Sequence, residues 1–146
     1  MKSTGKRVAG RALSLLLMLV AGVAIAGTRL TGAEIDHAMR GITLDGIYKD
    51  GTFFSETYND DGSIRYHDDE GSDSGDWSVK DNTFCTFYDS QEGACFFVER
   101  DGTNCFTFFK AVTGDDGTVS PSPDWTSRGW SREHASTCPK PPEAAI

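Results

Sequence analysis

Aspartate–glycine turns recur between short stretches of alternating polar and apolar residues, and this pattern restricts the chain to an antiparallel β fold. The turn pairs are Asp45-Gly46, Asp50-Gly51, Asp61-Gly62, Asp101-Gly102 and Asp116-Gly117, with Asp81-Asn82 as a sixth turn of similar chemistry. Glycine accepts a positive φ without steric cost, so this dipeptide between apolar runs predicts a hairpin. The runs are 47–48, 52–58, 63–67, 76–80, 83–88, 94–100 and 104–112. We expect a mainly β fold, an antiparallel meander of six to seven short strands that forms a small barrel or sandwich.

One short helix should precede the strands. Thr31 and Glu34 have capping-box spacing, in which each side chain bonds the other residue's backbone N–H. Ile35 and Met39 fall on one face four residues apart, and Gly41 stands where a left-handed residue would end the helix. A helix of about two turns is too short to be stable alone, so these apolar residues must dock on the sheet.

The first long hairpin allows its register to be predicted. If Asp60-Asp61-Gly62 is a three-residue loop with Gly62 left-handed, Tyr58 lies opposite Ile64 and Glu56 opposite Tyr66. One face then carries Phe54, Tyr58, Ile64 and Tyr66, and the other carries Arg65 and His67. Only two leucines follow residue 26, so nine phenylalanines and Trp77 must build most of the core.

The amino terminus is typical of an export signal. Residues 1–11 are basic, residues 12–26 are apolar or small, and Ala24-Ile25-Ala26 predicts cleavage after Ala26. We therefore expect a signal peptide at 1–26, a β domain with its helix at 27–112, and an irregular tail at 113–146 that holds all five prolines. The apolar run is short for a membrane span. The expected destination is the periplasm or the cell exterior, with no membrane span after cleavage.

Four cysteines in a small exported domain indicate two disulfides, which suits an oxidising compartment. A loop around Ser90 would place Cys85 opposite Cys95. A tight turn at Asp101-Gly102 would pair Val98 with Cys105, which points Cys105 away from the other two and toward Cys138. The alternative pairing, Cys95 with Cys105 and Cys85 with Cys138, stays open because a β-bulge would reverse this parity.

The net charge of the chain limits the kinds of molecule that it can bind. Loss of the first 26 residues removes four basic side chains and changes the net charge from −8 to −12. Nucleic-acid recognition needs a basic footprint, so we expect no nucleic-acid partner. A basic envelope or host protein would complement such a surface.

Few residues offer a recognisable reactive site. The acidic segment 68–76 holds five carboxylates, the oxygen ligands that calcium prefers, but its spacing fits no EF-hand and we interpret it as a solvated loop. His37, His67 and His134 share no metal-ligand spacing and are expected at the surface. No nucleophile elbow is present, and no carboxylate pair stands out. We expect no catalytic residues, no metal and no cofactor. Trp125 and Trp130 either pin the tail to the sheet or form an aromatic contact surface.

The middle of the chain resembles a family of small exported alphaproteobacterial proteins of unknown function. The resemblance covers about residues 30–110 and is carried by 30–35, 41–44, 54–65, 74–79, 84–85, 94–96 and 100–102. It implies a β-barrel-like domain with a bridge between Cys85 and Cys95, and it brings no established activity. Cys105, Cys138 and the long tail depart from the pattern. Gly75-Asp76-Trp77 carries a more distant likeness to periplasmic protease and lysozyme inhibitors, which are also small exported barrels.

These observations favour a non-enzymatic, exported β domain that acts as a binding module of unknown ligand. Two alternatives remain open at this stage. One is an inhibitor of a basic hydrolase such as lysozyme or an exported protease. The other is a structural or stress-related envelope protein without a discrete ligand.

Overall fold

A computed structural model describes residues 27–140, so the predicted signal peptide and its cleavage site lie outside the described residues. Within this range no helix is long and apolar enough to cross a membrane. The elements in chain order are β1 (Thr28–Arg29), α1 (Gly32–Met39), β2 (Thr43–Tyr48), β3 (Phe53–Tyr58), β4 (Ser63–Asp68), β5 (Ser72–Lys80), β6 (Thr83–Tyr88), β7 (Ala94–Arg100), β8 (Phe106–Thr113), β9 (Val119–Pro121) and β10 (Ser127–Ser131).

The strands form a closed antiparallel barrel, as the mainly β prediction allowed. Strands β2 to β8 pair in sequence order, and β10 closes the circle by pairing with both β8 and β2. Strands β1 and β9 extend the edges of β7 and β8. The barrel thus has eight strands, against the six to seven expected.

The register predicted for the first long hairpin is confirmed. Tyr58 pairs with Ile64, Glu56 pairs with Tyr66, and Gly62 has a φ of 87°. Phe54, Tyr58, Ile64 and Tyr66 are all buried, together with Trp77, so large rings fill the interior as the scarcity of leucine required.

The helix closes one end of the barrel. Thr31 and Glu34 form the predicted capping box, and Gly41 follows the helix with a φ of 76°. Ile35 and Met39 are fully buried, and α1 packs against β5 and β6. This end of the barrel is therefore filled with apolar side chains.

The turn predicted at Asp45-Gly46 is wrong, because both residues lie inside β2. Gly46 is buried between the ring of Phe54 and the backbone of Arg128 on β10. Glycine is needed here for close approach rather than for a turn, since the side chain of any other residue would meet its neighbours.

Gly46→Ala should lower the free energy of unfolding by about 1–3 kcal/mol, because the added methyl group would lie 2.7 Å from the Arg128 carbonyl oxygen and must push back a barrel strand. Urea titration measures the change. Gly114→Ala is the control, since the only side chain near its methyl group is that of exposed Asp116. An equal loss in both variants would contradict the packing argument.

The tight turn predicted at Asp101-Gly102 is also wrong. Arg100 pairs with Phe106 and Val98 with Phe108, so the loop runs from Asp101 to Cys105. The Asp101 N–H donates to the Cys105 carbonyl oxygen and closes this wider loop. The predicted pairing of Val98 with Cys105, and the parity argument built on it, do not hold.

The two disulfides nevertheless join the predicted partners, Cys85 with Cys95 and Cys105 with Cys138. Cys85 lies opposite Cys95 in the sheet, as expected. Cys105 is separated from that bridge because it ends a loop at the helix end of the barrel, next to the last described residues.

The tail expected to be irregular contributes two strands. β9 and β10 both lie after residue 112, and β10 completes the barrel. Asn104 holds the end of β10 and the residues after it, because its amide donates to the carbonyl oxygens of Ser131, His134 and Ala135. Residues 114–118, 122–126 and 132–140 of this tail lie outside the strands.

Cys138→Ser should lower the free energy of unfolding by about 2–4 kcal/mol, because the unfolded chain loses a closed loop. The barrel should stay folded, since β10 keeps its pairing with β2 and β8. Limited trypsin digestion should cut after Arg132 faster than in the wild type. A first cut within residues 43–113 would show instead that the bridge holds the barrel itself.

Candidate functional site

The end of the barrel opposite the helix is open and leads into a cavity of about 160 Å³. β2 ends and β3 begins at this end, as do β6 and β7. Buried or half-buried side chains line the walls, and the exposed residues Gln91 and Glu92 lie at the mouth. The other lining residues are Tyr48, Phe54, Glu56, Tyr58, Phe84, Thr86, Tyr88, Ala94, Phe96, Phe108, Thr126 and Ser127.

Glu56 is the most unusual wall residue, because it is a carboxylate with only 7% of its surface exposed. One of its oxygens accepts a hydrogen bond from the Tyr58 hydroxyl, and the other accepts from the Tyr88 hydroxyl. Acidic side chains are almost never buried without a partner. Two hydroxyl donors satisfy part of the hydrogen-bonding capacity of the carboxylate but supply no positive charge.

A second hydrogen-bonded chain lies beside it. The Tyr48 hydroxyl donates to the Tyr66 hydroxyl at 3.2 Å, and Tyr66 donates to Asp68 at 2.7 Å. The Tyr66 and Tyr88 rings lie edge to face with centroids 5.6 Å apart. All four tyrosines of the chain therefore belong to one of these two hydrogen-bonded groups.

Burial governs the ionisation of this group. It raises the pKa of Glu56, and the hydrogen bonds from Tyr58 and Tyr88 act in the opposite direction. Burial also raises the pKa of Tyr58 and of Tyr88, and the nearby Glu56 charge adds to both rises. The hydrogen bond from Tyr66 lowers the pKa of Asp68 at the rim. The interior thus favours neutral groups and the rim favours charged ones.

The loops and strand ends around the opening form an acidic rim. It contains seven carboxylates and one lysine, namely Asp50, Asp68, Asp69, Glu70, Asp89, Glu92, Asp124 and Lys49. Lys49 pairs with Asp124 at 3.0 Å, and both side chains are exposed. The potential at the mouth is consequently negative.

The acidic segment 68–76 is not the continuous loop that was predicted. Only residues 69–71 connect the strands, because β5 already begins at Ser72. Two of its carboxylates accept hydrogen bonds from the protein itself: Asp68 from the N–H groups of Glu70 and Gly71, and Asp73 from the Ser90 hydroxyl beyond β6. Among residues 27–140 no group of three histidine, cysteine or acidic side chains is arranged to hold a metal ion.

The other candidate residues lie apart from the cavity. His37, His67 and His134 are exposed on the helix, on β4 and after β10. Trp125 is half-buried and stacks on the Arg128 guanidinium at 4.5 Å, and Trp130 is half-buried on β10. Both tryptophans thus lie on or beside the strand that closes the barrel, in keeping with the prediction that they pin the tail.

Sequence reasoning missed Glu56 as a site residue although the signal was present. The predicted register already put Phe54 and Tyr58 on the inner face, and Glu56 lies midway between them with the same orientation. An acidic residue at an inward position of a strand is a departure from the hydrophobic pattern, and such departures mark functional sites.

Comparisons with protein-family models, curated proteins and solved structures found no match. The resemblance to exported alphaproteobacterial proteins and to periplasmic inhibitors therefore stays a prediction. Chemically, the cavity offers aromatic walls and one buried hydrogen-bond-accepting acid, which suits retention of a small molecule.

Proposed function

We propose that this protein is an exported, non-enzymatic β domain that binds a small molecule in the open end of its barrel. The observation that carries the proposal is a cavity of about 160 Å³ with aromatic walls and a single buried carboxylate. Ligand sites in proteins combine an apolar wall with few polar groups in this way, and the mouths of β-barrels are common places for them. The opposite end is filled by Ile35 and Met39, so only one end is available.

A thermal-shift screen of small fragments tests the proposal. Ala94 lines the cavity, so Ala94→Phe should fill it and abolish the shifts that the wild type shows. Ala33→Phe makes the same change on the exposed side of α1 and should leave the shifts intact. A screen without a shift in the wild type, or shifts that persist in Ala94→Phe, would count against the proposal.

Export by a signal peptide cleaved after Ala26 belongs to the same proposal. The two disulfides are typical of proteins that fold in an oxidising compartment, the periplasm or the exterior. Mass measurement of the protein recovered from a periplasmic or culture fraction should give a chain that begins at Gly27. Recovery of a reduced protein that keeps Met1 would contradict it.

The acidic rim favours a second candidate function, inhibition of a basic hydrolase. Exposed carboxylates such as Asp69 and Glu70 would complement a cationic enzyme surface and steer its approach. Mixing the protein with lysozymes and exported proteases at low salt tests this directly. Inhibition should weaken on Glu70→Lys and at high salt, and activity unchanged across these enzymes would remove the candidate.

A further inference from the structure

Glu56 faces the cavity without a positively charged partner. Among the described residues that line the cavity there are two carboxylates, Glu56 and Glu92, and no lysine, arginine or histidine. A buried charge is normally balanced by an ion pair or a bound cation. The Tyr58 and Tyr88 hydroxyls orient the carboxylate but carry no charge, so the ionised form of Glu56 has no balancing cation among the described residues that line the cavity.

The aromatic walls are of the kind that attracts cations. Tyr48 and Phe54 lie with ring centroids 4.7 Å apart, and Phe96 and Phe108 lie 6.3 Å apart on the other side. Aromatic faces attract ammonium groups, more strongly when water is excluded. The guanidinium groups that stack on rings in the described structure use Phe97, Phe109, Trp77, Phe106 and Trp125, none of which lines the cavity.

The size of the cavity limits the ligand. An apolar cavity of about 150 Å³ accommodates benzene, so this one holds a group of similar size. The acidic rim favours a cationic ligand, as Glu56 does, because a negative mouth concentrates cations and repels anions.

We propose that the ligand is a small organic cation whose ammonium group points toward Glu56 between the aromatic walls. This inference rests on the proposed binding function and specifies its ligand class. The rings and the rim also favour a cation. The unbalanced carboxylate of Glu56 supplies the largest part of the preference for a cation over a neutral molecule.

The affinity for a cation should depend on pH, because the cation and a proton compete for Glu56. Burial raises the pKa of Glu56, so the free protein holds this proton to a higher pH than an exposed glutamate does, and a bound cation favours the ionised form and expels that proton. Affinity for a permanently charged cation should therefore rise as the pH is raised above the ordinary value of a glutamate, until Glu56 is fully ionised. The ionisable groups that face Glu56 or share its cavity are Tyr48, Tyr58, Tyr66, Tyr88 and Glu92, and the tyrosines stay neutral in this range.

The test compares cations with neutral molecules of the same shape on the mature protein with both disulfides formed. Choline is matched with 3,3-dimethylbutan-1-ol and benzylamine with benzyl alcohol, and calorimetry or NMR titration gives the affinities. At least one cation should bind tenfold or more tightly than its neutral match. Glu56→Gln should reduce that ratio to below threefold and remove the pH dependence for choline, whereas Glu70→Gln on the rim should keep both.

The outcomes separate the two proposals. Equal or tighter binding of the neutral molecules would overturn the cation assignment and leave the binding function standing. A preference for cations that survives Glu56→Gln would also overturn the assignment, because the aromatic walls and the rim would then explain it without the carboxylate. If neither pair binds while the fragment screen returns only neutral or anionic ligands, the assignment fails as well.

Discussion

A chain truncated after Pro121 should fail to fold, with the loss of cooperative thermal unfolding and of dispersed amide signals in the NMR spectrum. The truncation removes β10, which pairs with β2 along one edge and with β8 along the other. Without it the barrel opens, and Leu44 and Phe106 lose their cover. The exposed edges would also leave two rows of backbone groups unpaired.

Two controls separate loss of the strand from loss of the bridge. A Cys105→Ser, Cys138→Ser double variant removes the same disulfide but keeps β10, and it should unfold cooperatively at a lower temperature. A chain that ends at Lys140 keeps both and should match the full mature protein. A truncated chain with native-like NMR dispersion would show that β2 and β8 do not need β10 between them.

Glu56→Leu should lower the free energy of unfolding by about 2 kcal/mol at pH 4, because the fully buried Tyr58 hydroxyl loses its acceptor. Adding Tyr58→Phe to Glu56→Leu should recover most of this loss, since the orphaned hydroxyl is then gone as well. Urea titration of the single and double variants measures the coupling. Glu70→Leu, an exposed change, is the control and should alter stability little. If Glu56→Leu and the double variant Glu56→Leu, Tyr58→Phe were equally stable, the hydrogen-bond explanation would be contradicted.

The loss in free energy of unfolding caused by Glu56→Leu should become smaller as the pH rises. The pKa of Glu56 is raised in the folded protein, so the folded state holds its proton more firmly than the unfolded state does. As the pH rises from the unfolded pKa of Glu56, near 4.5, to its higher folded pKa, the wild type therefore loses stability. A leucine variant has no such group and does not lose it. Repeating the titrations at pH 7.5 should give a smaller difference than at pH 4, and a larger one would reverse the assigned direction.

Local signals predicted the parts of the fold that local physics controls. The capping box at Thr31 and Glu34 sets the start of the helix by hydrogen bonds within four residues. The β3–β4 hairpin follows from a left-handed glycine and from alternation that only one register satisfies. Cys85 and Cys95 could be paired because a short loop determines which residues lie opposite each other.

Features that depend on distant contacts were not predictable in the same way. Gly46 follows an aspartate, as a turn glycine would, but β10 approaches it from far along the chain and makes it a strand residue. The final strand has two prolines shortly before it and no alternating apolar run, so nothing local marks Ser127–Ser131 as part of the barrel. The chain pairs there because β2 and β8 present free edges, and this information is spread over the whole sequence.

The candidate site lies between these two cases. Parity alone puts Glu56 inside the barrel, so its burial was predictable from the register. Its partnership with Tyr88 was not, because Glu56 and Tyr88 come together only when the sheet curves into a barrel.

The pairing of β2 with β10 also sets the order of events when the chain folds. The first barrel strand has no partner on one side until the last one has been synthesised, so the final closure requires nearly the whole chain and has a large loop entropy to overcome. Hairpins such as β3–β4 can form and unfold before then, but none of them can complete the barrel without β10. We therefore expect this chain to stay unfolded enough to pass through a narrow channel for as long as its carboxyl-terminal strand is held back.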